Sequence, residues 1–256
     1  MKQYVLITGA SGGIGASLAL KFAKEGYNLI LIGRNVSKLD NLSYIITRAY
    51  NINAITYQVD LSSPEHITRL VNKLKKANLN ITIVINNAGV GSFGEFKNID
   101  ATKDLEIINV NVQATTLLLK EIIPLLNKHS HIVQVASTAA FTPGPYMAVY
   151  YASKAYVLSL SLALRHELKK DNIHVSVLCP GPTISDFQTK AGMKKAKFTN
   201  LIIMHPTKVA NIAYKGIRAN KSIIITGFAN KLLLQCMNFI PYNAKSSLTA
   251  KSQKIV

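Results

Sequence analysis

The feature that most constrains the fold of this chain is a regular alternation of short strand-like runs with longer helical stretches. Seven runs rich in β-branched and other apolar residues are predicted strands: 4–8, 28–33, 54–60, 81–86, 131–137, 174–179 and 222–226. Six helical patterns lie between them, near 13–25, 36–50, 64–77, 98–128, 149–170 and 206–219. Such alternation is typical of βαβ units and predicts one doubly wound α/β domain, a seven-stranded parallel sheet with helices on both faces.

Glycine and proline residues support these limits. Gly26 stands where the first helix should stop, and Pro64 and Pro206 stand where helices should start. Pro124 falls inside the 98–128 stretch, so we expect that helix to bend or end there. Because crossovers between parallel strands are right-handed, all strands end on one rim of the sheet, and ligands should bind there.

The composition excludes several classes of protein. Apolar residues make up 48% of 256 residues, which is enough for a full core and too much for a disordered chain. No apolar run reaches the roughly 18 residues of a membrane span, and no cleavable leader pattern opens the chain. Two cysteines, Cys179 and Cys236, suit a reducing compartment. We therefore expect a soluble cytoplasmic protein, with contact to a membrane surface left open.

The net charge of +18 is unevenly distributed. No acidic residue follows Asp186, whereas twelve basic residues do. This excess would attract an anionic membrane, an acidic carrier or an acidic substrate; the alternative is a lysine-rich surface without a partner. No arginine-rich stripe or nucleic-acid motif accompanies the charge, so we expect no nucleic-acid partner.

A glycine-rich segment, residues 8–15, lies between the first strand and the first helix. Its glycines would let backbone N–H groups approach a pyrophosphate, and the helix N-terminus adds positive potential. The alternative is an ordinary tight strand–helix turn. The spacing of Gly9, Gly13 and Gly15 differs from G-x-G-x-x-G and resembles the T-G-x-x-x-G-x-G loop of the short-chain dehydrogenase/reductase family.

Further motifs of that family follow in order. Residues 86–89 resemble its N-N-A-G motif, and residues 180–183 resemble its P-G motif. Ser137 ends the fifth predicted strand, and Tyr150-x-x-x-Lys154 begins thirteen residues later. The resemblance covers residues 1 to about 226 and rests on the joint occurrence of these motifs. It implies a classical member with a Rossmann-type fold, and a homodimer or homotetramer paired through the helices near 98–128 and 149–170.

The resemblance also implies which residues bind a nicotinamide dinucleotide. Asp60 and Leu61 look like the pair at the adenine. The full implied set is Gly9, Ser11, Gly13, Ile14, Gly15, Arg34, Asp60, Leu61, Asn87, Ala88, Gly89, Tyr150, Lys154, Pro180, Gly181 and Thr183.

The end of the second strand bears on which dinucleotide binds. An acidic residue there would accept from the ribose 2′-hydroxyl of NAD, but Gly33 stands at that position and Arg34 follows it. A guanidinium can clamp a 2′-phosphate bidentately, so we predict NADP(H) in preference to NAD(H). Gly12 is where some NADPH-binding members carry a second basic residue, which leaves Arg34 mostly alone. The alternative is that Arg34 is a solvent-exposed loop residue.

Tyr150 and Lys154 suggest acid–base chemistry. Reduction of a carbonyl by hydride transfer leaves an alkoxide that needs a proton, and a phenol four residues from an ammonium shares its helix face. We expect Lys154 to lower the Tyr150 pKa from about 10, and Ser137 to hydrogen-bond the substrate oxygen. The resemblance implies that Lys154 also holds the nicotinamide ribose and that Asn111 holds a relay water. Tyr151 is a rival proton donor, but the family spacing selects Tyr150.

The remaining segments should frame the substrate. Apolar residues within 184–205 favour a hydrophobic or acyl-chain carbonyl compound. We assign residues 1–227, including that loop, to the dinucleotide-binding domain and 228–256 to an amphipathic, basic C-terminal tail. We expect the tail to make a dimer or core contact, with a membrane surface as the alternative, and residues near 245–256 to be disordered.

These predictions favour an NADPH-dependent carbonyl reductase or alcohol dehydrogenase. A 3-oxoacyl-thioester reductase acting on carrier-protein or coenzyme A esters is the nearest alternative, and an NADP-binding regulator without turnover is a further one. Ser137 lacks the G-x-S-x-G elbow of a hydrolase, and the six histidines show no metal-ligand spacing, so we expect no metal.

Overall fold

A parallel sheet forms the centre of the molecule in the computed structural model, which describes residues 2–193, 203–237 and 239–253. The strands are β1 (Tyr4–Thr8), β2 (Asn28–Gly33), β3 (Ala54–Gln58), β4 (Ile81–Asn86), β5 (His131–Val135), β6 (His174–Cys179) and β7 (Ile223–Ile225). Their spatial order is β3-β2-β1-β4-β5-β6-β7. The predicted doubly wound fold is confirmed, with β3, β5 and β7 shorter than expected.

Helices cover both faces of this sheet. They are α1 (Gly13–Lys24), α2 (Val36–Tyr50), α3 (Pro64–Ala77), α4 (Ala101–Ile107), α5 (Ala114–Ile122), α6 (Ala148–Glu167), α7 (Phe187–Lys190), α8 (Pro206–Arg218), α9 (Phe228–Met237) and α10 (Tyr242–Gln253). Helix α3 begins at the predicted Pro64, and Ser63 caps it by accepting a hydrogen bond from the His66 amide. None of these helices, within the described residues, is both long and apolar enough to cross a bilayer.

Strand residues alternate between two apolar layers. Leu29 of β2 packs in the layer with Phe22 of α1, which also takes in residues of α2 and α8. Its neighbour Ile30 packs in the opposite layer with Leu70 of α3 and Leu118 of α5. Because β1 and β2 are buried on both sides, the sheet holds the strand ends in fixed positions at one rim.

The predicted 98–128 helix is interrupted twice. Helix α5 ends at Ile122, just before a 3₁₀ turn that contains Pro124, which confirms the expected break. The second interruption was not predicted: a π-helical turn, Ile108–Gln113, separates α4 from α5. π-Helical turns are rare in proteins, and many of those that occur lie at functional sites. This one carries Asn111.

The C-terminal segment is helical. The expectation of disorder near 245–256 is wrong over residues 245–253, which belong to α10, and residues 254–256 lie outside the described residues. Lys245, Thr249 and Gln253, one turn apart, are buried on the inner face of α10. Residues 194–202 of the expected substrate loop also lie outside the described residues. The division of the chain at residue 227 stays a prediction.

Candidate active site

A cleft of about 700 Å³ opens along the rim where the strands end. It brings together sixteen of the predicted site residues: Gly9, Ser11, Gly13, Ile14, Arg34, Asp60, Leu61, Asn87, Ala88, Gly89, Ser137, Tyr150, Lys154, Pro180, Gly181 and Thr183. Two predicted residues, Gly15 and Asn111, do not line it. The expectation of a ligand site at this rim therefore agrees with the shape of the molecule.

The glycine-rich loop fits closely against the end of β4. Gly9 has a φ of 64°, in the left-handed region that favours glycine. A Cβ at Gly15 would lie 2.2 Å from the Gly9 carbonyl oxygen, so a side chain there would displace the loop. Asn87 Nδ2 donates to the carbonyl oxygens of Thr8 at 2.9 Å and Gly9 at 3.2 Å. Gly15 therefore acts beneath the loop, where it allows this close approach.

A hydrogen-bond network aligns the ends of three neighbouring strands. Thr8 Oγ1 donates to Asn86 Oδ1 at 3.1 Å and accepts from the Asn87 amide at 2.9 Å and the Ala88 amide at 3.0 Å. Asn86 Nδ2 continues to Gln134 Oε1 of β5 at 3.1 Å. The side-chain amides of Asn86 and Asn87 thus make their hydrogen bonds within the protein. These two asparagines therefore serve mainly to position the cleft.

Two ion pairs stand at the β2 end of the cleft. Arg34 Nη1 lies 3.1 Å from Glu106 Oε1, and Lys38 Nζ lies 3.6 Å from Asp186 Oδ2. The Arg34 and Lys38 side chains are 59% and 55% exposed, and such pairs contribute about 0–1 kcal/mol, so either cation can exchange its carboxylate for another anion. Lys38 was not predicted; the available signal was a second cation four residues after Arg34, in the first turn of α2.

Asp60 lies in the same part of the cleft. Its carboxylate accepts hydrogen bonds from the Ser62 amide at 3.0 Å and the Ser62 hydroxyl at 2.8 Å. These bonds hold the pKa of Asp60 below its usual range, and the bond from the Ser62 amide has the larger effect. Asp60 is therefore ionised at neutral pH and has a fixed orientation at the predicted adenine position.

Tyr150 and Lys154 lie together at the other end, but their electrostatics differ from the expectation. Burial raises the pKa of Tyr150 to about 12, against the opposing effect of a hydrogen bond with Ser137. Lys154 Nζ donates to the Val135 carbonyl at 3.0 Å and lies 5.8 Å from the Tyr150 ring centroid. Burial lowers the Lys154 pKa to about 8. The expectation of a Tyr150 pKa below about 10 is therefore wrong in this structure, because desolvation raises this pKa by more than nearby groups lower it.

Asn111 stands behind the cleft and supports both walls. Its Oδ1 accepts from the Val90 amide at 3.0 Å, and its Nδ2 donates to the Val90 carbonyl at 2.9 Å and to Ser153 Oγ at 2.9 Å. Ser153 Oγ in turn donates to the Tyr150 carbonyl at 2.7 Å. The side chain thus links the segment after β4 to the helix of Tyr150, while the implied relay water stays a prediction.

Comparison with known proteins agrees with this geometry. A family model described as short chain dehydrogenase matches residues 3–196. The chain belongs to the short-chain dehydrogenase family. A very-long-chain 3-oxoacyl-CoA reductase from Vanderwaltozyma polyspora is 31% identical over 215 residues, which are 80% of this chain and 60% of that protein. The chain thus spans only about three fifths of that relative's length.

Two solved structures of the family superpose well on this chain. A short-chain dehydrogenase from Sphingobium yanoikuyae, in complex with NADPH, is 28% identical with a TM-score of 0.82, covering 93% of this chain and 96% of that one. The bulky-bulky ketone specific alcohol dehydrogenase from Comamonas testosteroni is 26% identical with a TM-score of 0.77, covering 93% and 94%.

The structure adds residues to the cleft of this short-chain dehydrogenase that the sequence analysis missed. Glu106 and Asp186 line it as partners of the two cations, and Ser252 and Gln253 reach it from α10. No motif marks these four positions, since each depends on a contact between distant segments. Cys179 is a fully buried core thiol of β6, where burial raises its pKa to about 12.

Proposed function

We propose that the protein is an NADP(H)-dependent oxidoreductase that transfers a hydride between the cofactor and a carbonyl or secondary alcohol of a hydrophobic or acyl compound. One observation carries the proposal: Ser137, Tyr150 and Lys154 share a single cleft with the glycine-rich loop and Arg34. The Sphingobium relative, solved with NADPH, supports the cofactor class.

The residues present suit a bound dinucleotide. The loop from Gly9 to Gly13 and the N-terminus of α1 would hold the pyrophosphate, because backbone N–H groups and the helix dipole favour anions there. Asp60 would lie at the adenine ribose and base, Arg34 and Lys38 at the 2′-phosphate, and Lys154 at the nicotinamide ribose. When bound, the nicotinamide supplies or accepts the hydride.

Tyr150 is the proposed proton donor to the substrate oxygen. With a pKa raised to about 12, its hydroxyl stays protonated at neutral pH and is ready to donate to a developing alkoxide. Ser137 Oγ accepts from the Ala139 amide at 3.1 Å, and its hydroxyl donates to the Pro180 carbonyl over a long 3.4 Å. Its proton can therefore turn to the substrate oxygen and stabilise the charge that forms there.

Lys154 provides the nearby positive charge. Below pH 8 its ammonium is protonated even without a ligand, and in the low dielectric of the cleft it favours the anionic form of Tyr150 after proton transfer. In the oxidative direction, Tyr150 must first lose a proton, so we expect oxidation to accelerate with rising pH and reduction to do the opposite.

The wall beyond Tyr150 supports an apolar substrate. The Phe187 ring centroid lies 5.2 Å from that of Tyr150, and Met147 and Met193 also line the cleft. These apolar side chains cannot hydrogen-bond the hydroxyls of a sugar or pair with the charge of a small acid. They suit a hydrophobic carbonyl compound.

A screen of carbonyl compounds, followed by the loss of NADPH absorbance, tests this function. Tyr150→Phe should lower kcat by roughly 10²–10⁴-fold because it removes the proton donor, and it should still bind NADPH by fluorescence titration. The Tyr151→Phe protein should turn over. Turnover by Tyr150→Phe with bound cofactor would contradict the assignment, and activity lost only in Tyr151→Phe would move it by one residue.

The cofactor preference is tested at Arg34 and Lys38. Arg34→Ala should raise the KM for NADPH by about tenfold, which corresponds to one lost charge-assisted hydrogen bond, and should leave the KM for NADH in place. The double Arg34→Ala/Lys38→Ala variant should add to the loss. A wild-type preference for NADH, or an unchanged NADPH affinity in Arg34→Ala, would refute the proposal.

A 3-oxoacyl-thioester reductase is the second candidate. It is supported by the Vanderwaltozyma relative, by Lys190 in the cleft lining and by the cationic residues after Asp186. Comparing acetoacetyl-CoA with the phosphate-free acetoacetyl-pantetheine thioester and with aromatic ketones separates the two candidates. A preference for the coenzyme A ester supports the second, equal use of both thioesters argues against a phosphate contact, and absence of all turnover favours a regulator that binds NADP.

Assembly and location are further parts of the proposal. Leu105, Ile108 and Leu162 are exposed on α4, the π-helical turn and α6, the helices expected to pair in a homodimer or homotetramer. Leu162→Glu should lower the molar mass measured by light scattering. Flotation with neutral and anionic vesicles would show whether the basic C-terminal segment contacts a membrane. A cytoplasmic location stays a prediction.

A further inference from the structure

Helix α10 directs polar side chains toward the protein. Lys245, Thr249 and Gln253 repeat every fourth residue and are buried, while Leu248 is exposed. This is the reverse of an ordinary surface helix, whose apolar side packs inward. Buried polar groups cost free energy unless they are hydrogen-bonded, so the surface beneath α10 should be one that uses hydrogen bonds.

Gln253 makes such a contact with the cleft wall. Its Nε2 donates to the Tyr151 hydroxyl, and both residues line the cleft. The residue is only 9% exposed, and its Oε1 has no hydrogen-bond partner among the residues that the structure describes. A buried acceptor without a partner destabilises the folded protein. The Gln253 amide is therefore hydrogen-bonded through Nε2 and has no partner for Oε1 among the described residues. This arrangement indicates that a ligand group donates a hydrogen bond to Oε1.

Tyr151 is held in a fixed position beside Tyr150. A Cβ at Gly144 would lie 2.1 Å from the Tyr151 ring, so the ring packs directly on the glycine backbone. The two tyrosine rings lie edge to face with centroids 6.1 Å apart. Burial raises the pKa of Tyr151, which keeps its hydroxyl protonated at neutral pH. Because that oxygen accepts from Gln253, its own proton is available to a ligand.

We propose that Tyr151 and Gln253 form a second polar subsite, which binds a hydroxyl group of the substrate remote from the carbonyl that reacts at Tyr150. A hydroxyl both accepts and donates, so it can take the proton of Tyr151 and give its own to Gln253 Oε1. Resting on the proposed oxidoreductase function, this subsite narrows the substrate class to a mainly apolar ketone that also carries a hydroxyl.

Paired ketones test the subsite. Each pair has the same chain length, with a terminal hydroxyl in one member and a methyl in the other, and the series increases in length. The wild type should show at least about tenfold higher kcat/KM for the hydroxylated member at one length, the worth of one or two hydrogen bonds. Gln253→Leu and Tyr151→Phe should abolish this ratio through KM. Gln235→Leu, on the exposed side of α9, is the matched control and should keep it.

Calorimetry of the same ketone pairs binding to the NADP-loaded protein tests the subsite independently of turnover. Tighter binding of the hydroxylated member by wild type, lost in Gln253→Leu, supports the subsite even if no ketone is reduced, in which case only the proposed function fails. Equal binding of both members at every length, or an undiminished preference in Gln253→Leu, overturns the subsite whether or not ketones are reduced.

Discussion

The two halves of the cleft are built in different ways. The nucleotide half and the substrate half are named after their proposed ligands. The nucleotide half consists of backbone groups and of hydroxyl and amide side chains at strand ends, such as Thr8, Asn86 and Asn87, joined by hydrogen bonds of about 3 Å. The substrate half consists of side chains from segments far apart in sequence, such as Phe187 and Gln253. The contacts of the nucleotide half are therefore made at the sheet, whereas those of the substrate half depend on how distant segments pack.

The largest effect should come from a substitution that breaks the nucleotide half. In Gly15→Ala, the new methyl would lie 2.2 Å from the Gly9 carbonyl oxygen and 2.6 Å from Asn87 Nδ2. We expect the free energy of unfolding to fall by about 3 kcal/mol, from overpacking against backbone, and NADPH binding to weaken at least tenfold. Urea unfolding and fluorescence titration measure both quantities.

Gly12→Ala is the matched control for that substitution. A Cβ at Gly12 meets nothing within 4 Å, and its φ of 175° is extended backbone open to any residue. The control should therefore unfold like the wild type. Equal losses of stability and of NADPH affinity in both variants would show that the tight contact of Gly15 does not hold the glycine-rich loop in place.

The next effect concerns the cation between the two halves. Lys154 is 5% exposed, and its pKa of about 8 lies well below the ordinary 10.5, so keeping it charged in the folded protein costs about 3 kcal/mol. Lys154→Met should lose turnover and, after subtraction of about 1 kcal/mol for the lost bond to Val135, be about 2 kcal/mol more stable at pH 7 without cofactor.

The pH dependence sharpens this prediction. Between pH 8 and 10.5 the unfolded chain binds the Lys154 proton and the folded chain does not, so wild-type stability rises with pH across that window. The advantage of Lys154→Met should therefore shrink toward pH 10. The exposed Lys231→Met is the control, and urea unfolding at both pH values makes the measurement. A variant less stable than wild type at pH 7 would contradict the burial cost.

A smaller effect should follow from adding a charge to the nucleotide half. Gly12 has open space around it and stands in the cleft lining. Gly12→Arg should lower the KM for NADPH by roughly fivefold, about 1 kcal/mol for an exposed phosphate contact, and leave the KM for NADH in place. An equal gain for both cofactors would place the new cation at the pyrophosphate instead.

The smallest effect on the nucleotide half should come from disrupting α10 in the substrate half. Ala250→Pro breaks α10 in its interior, whereas the control Ala244→Pro lies in its first turn, where proline is tolerated. If α10 unfolds locally, cofactor affinity should stay within about twofold while the KM for substrate rises. A large loss of NADPH affinity in Ala250→Pro alone would show that the two halves are coupled.

The strands and turns that frame the nucleotide half could be predicted because short-range patterns determine them, whereas the roles of its residues stay predictions. β-Branched runs set the strands, and the glycine loop and Asn87 each follow a strand directly. Helix α10 could not be predicted, because its buried residues Lys245, Thr249 and Gln253 are polar and give no apolar periodicity. The Tyr150 pKa was predicted in the wrong direction, since sequence spacing says nothing of how deeply two charged groups are desolvated.

The π-helical turn before α5 has a consequence for how this chain tolerates change in length. A wide turn holds one residue more than a regular helix needs, and each residue rotates a helix by roughly 100°. Deleting one residue within Ile108–Gln113 would thus restore regular winding and leave α5 correctly phased against α3, with Leu118 and Ile122 still in the core. Asn111, however, would lose its reach to Val90 and Ser153, so the core would accept the shorter chain and the cost would fall on the cleft.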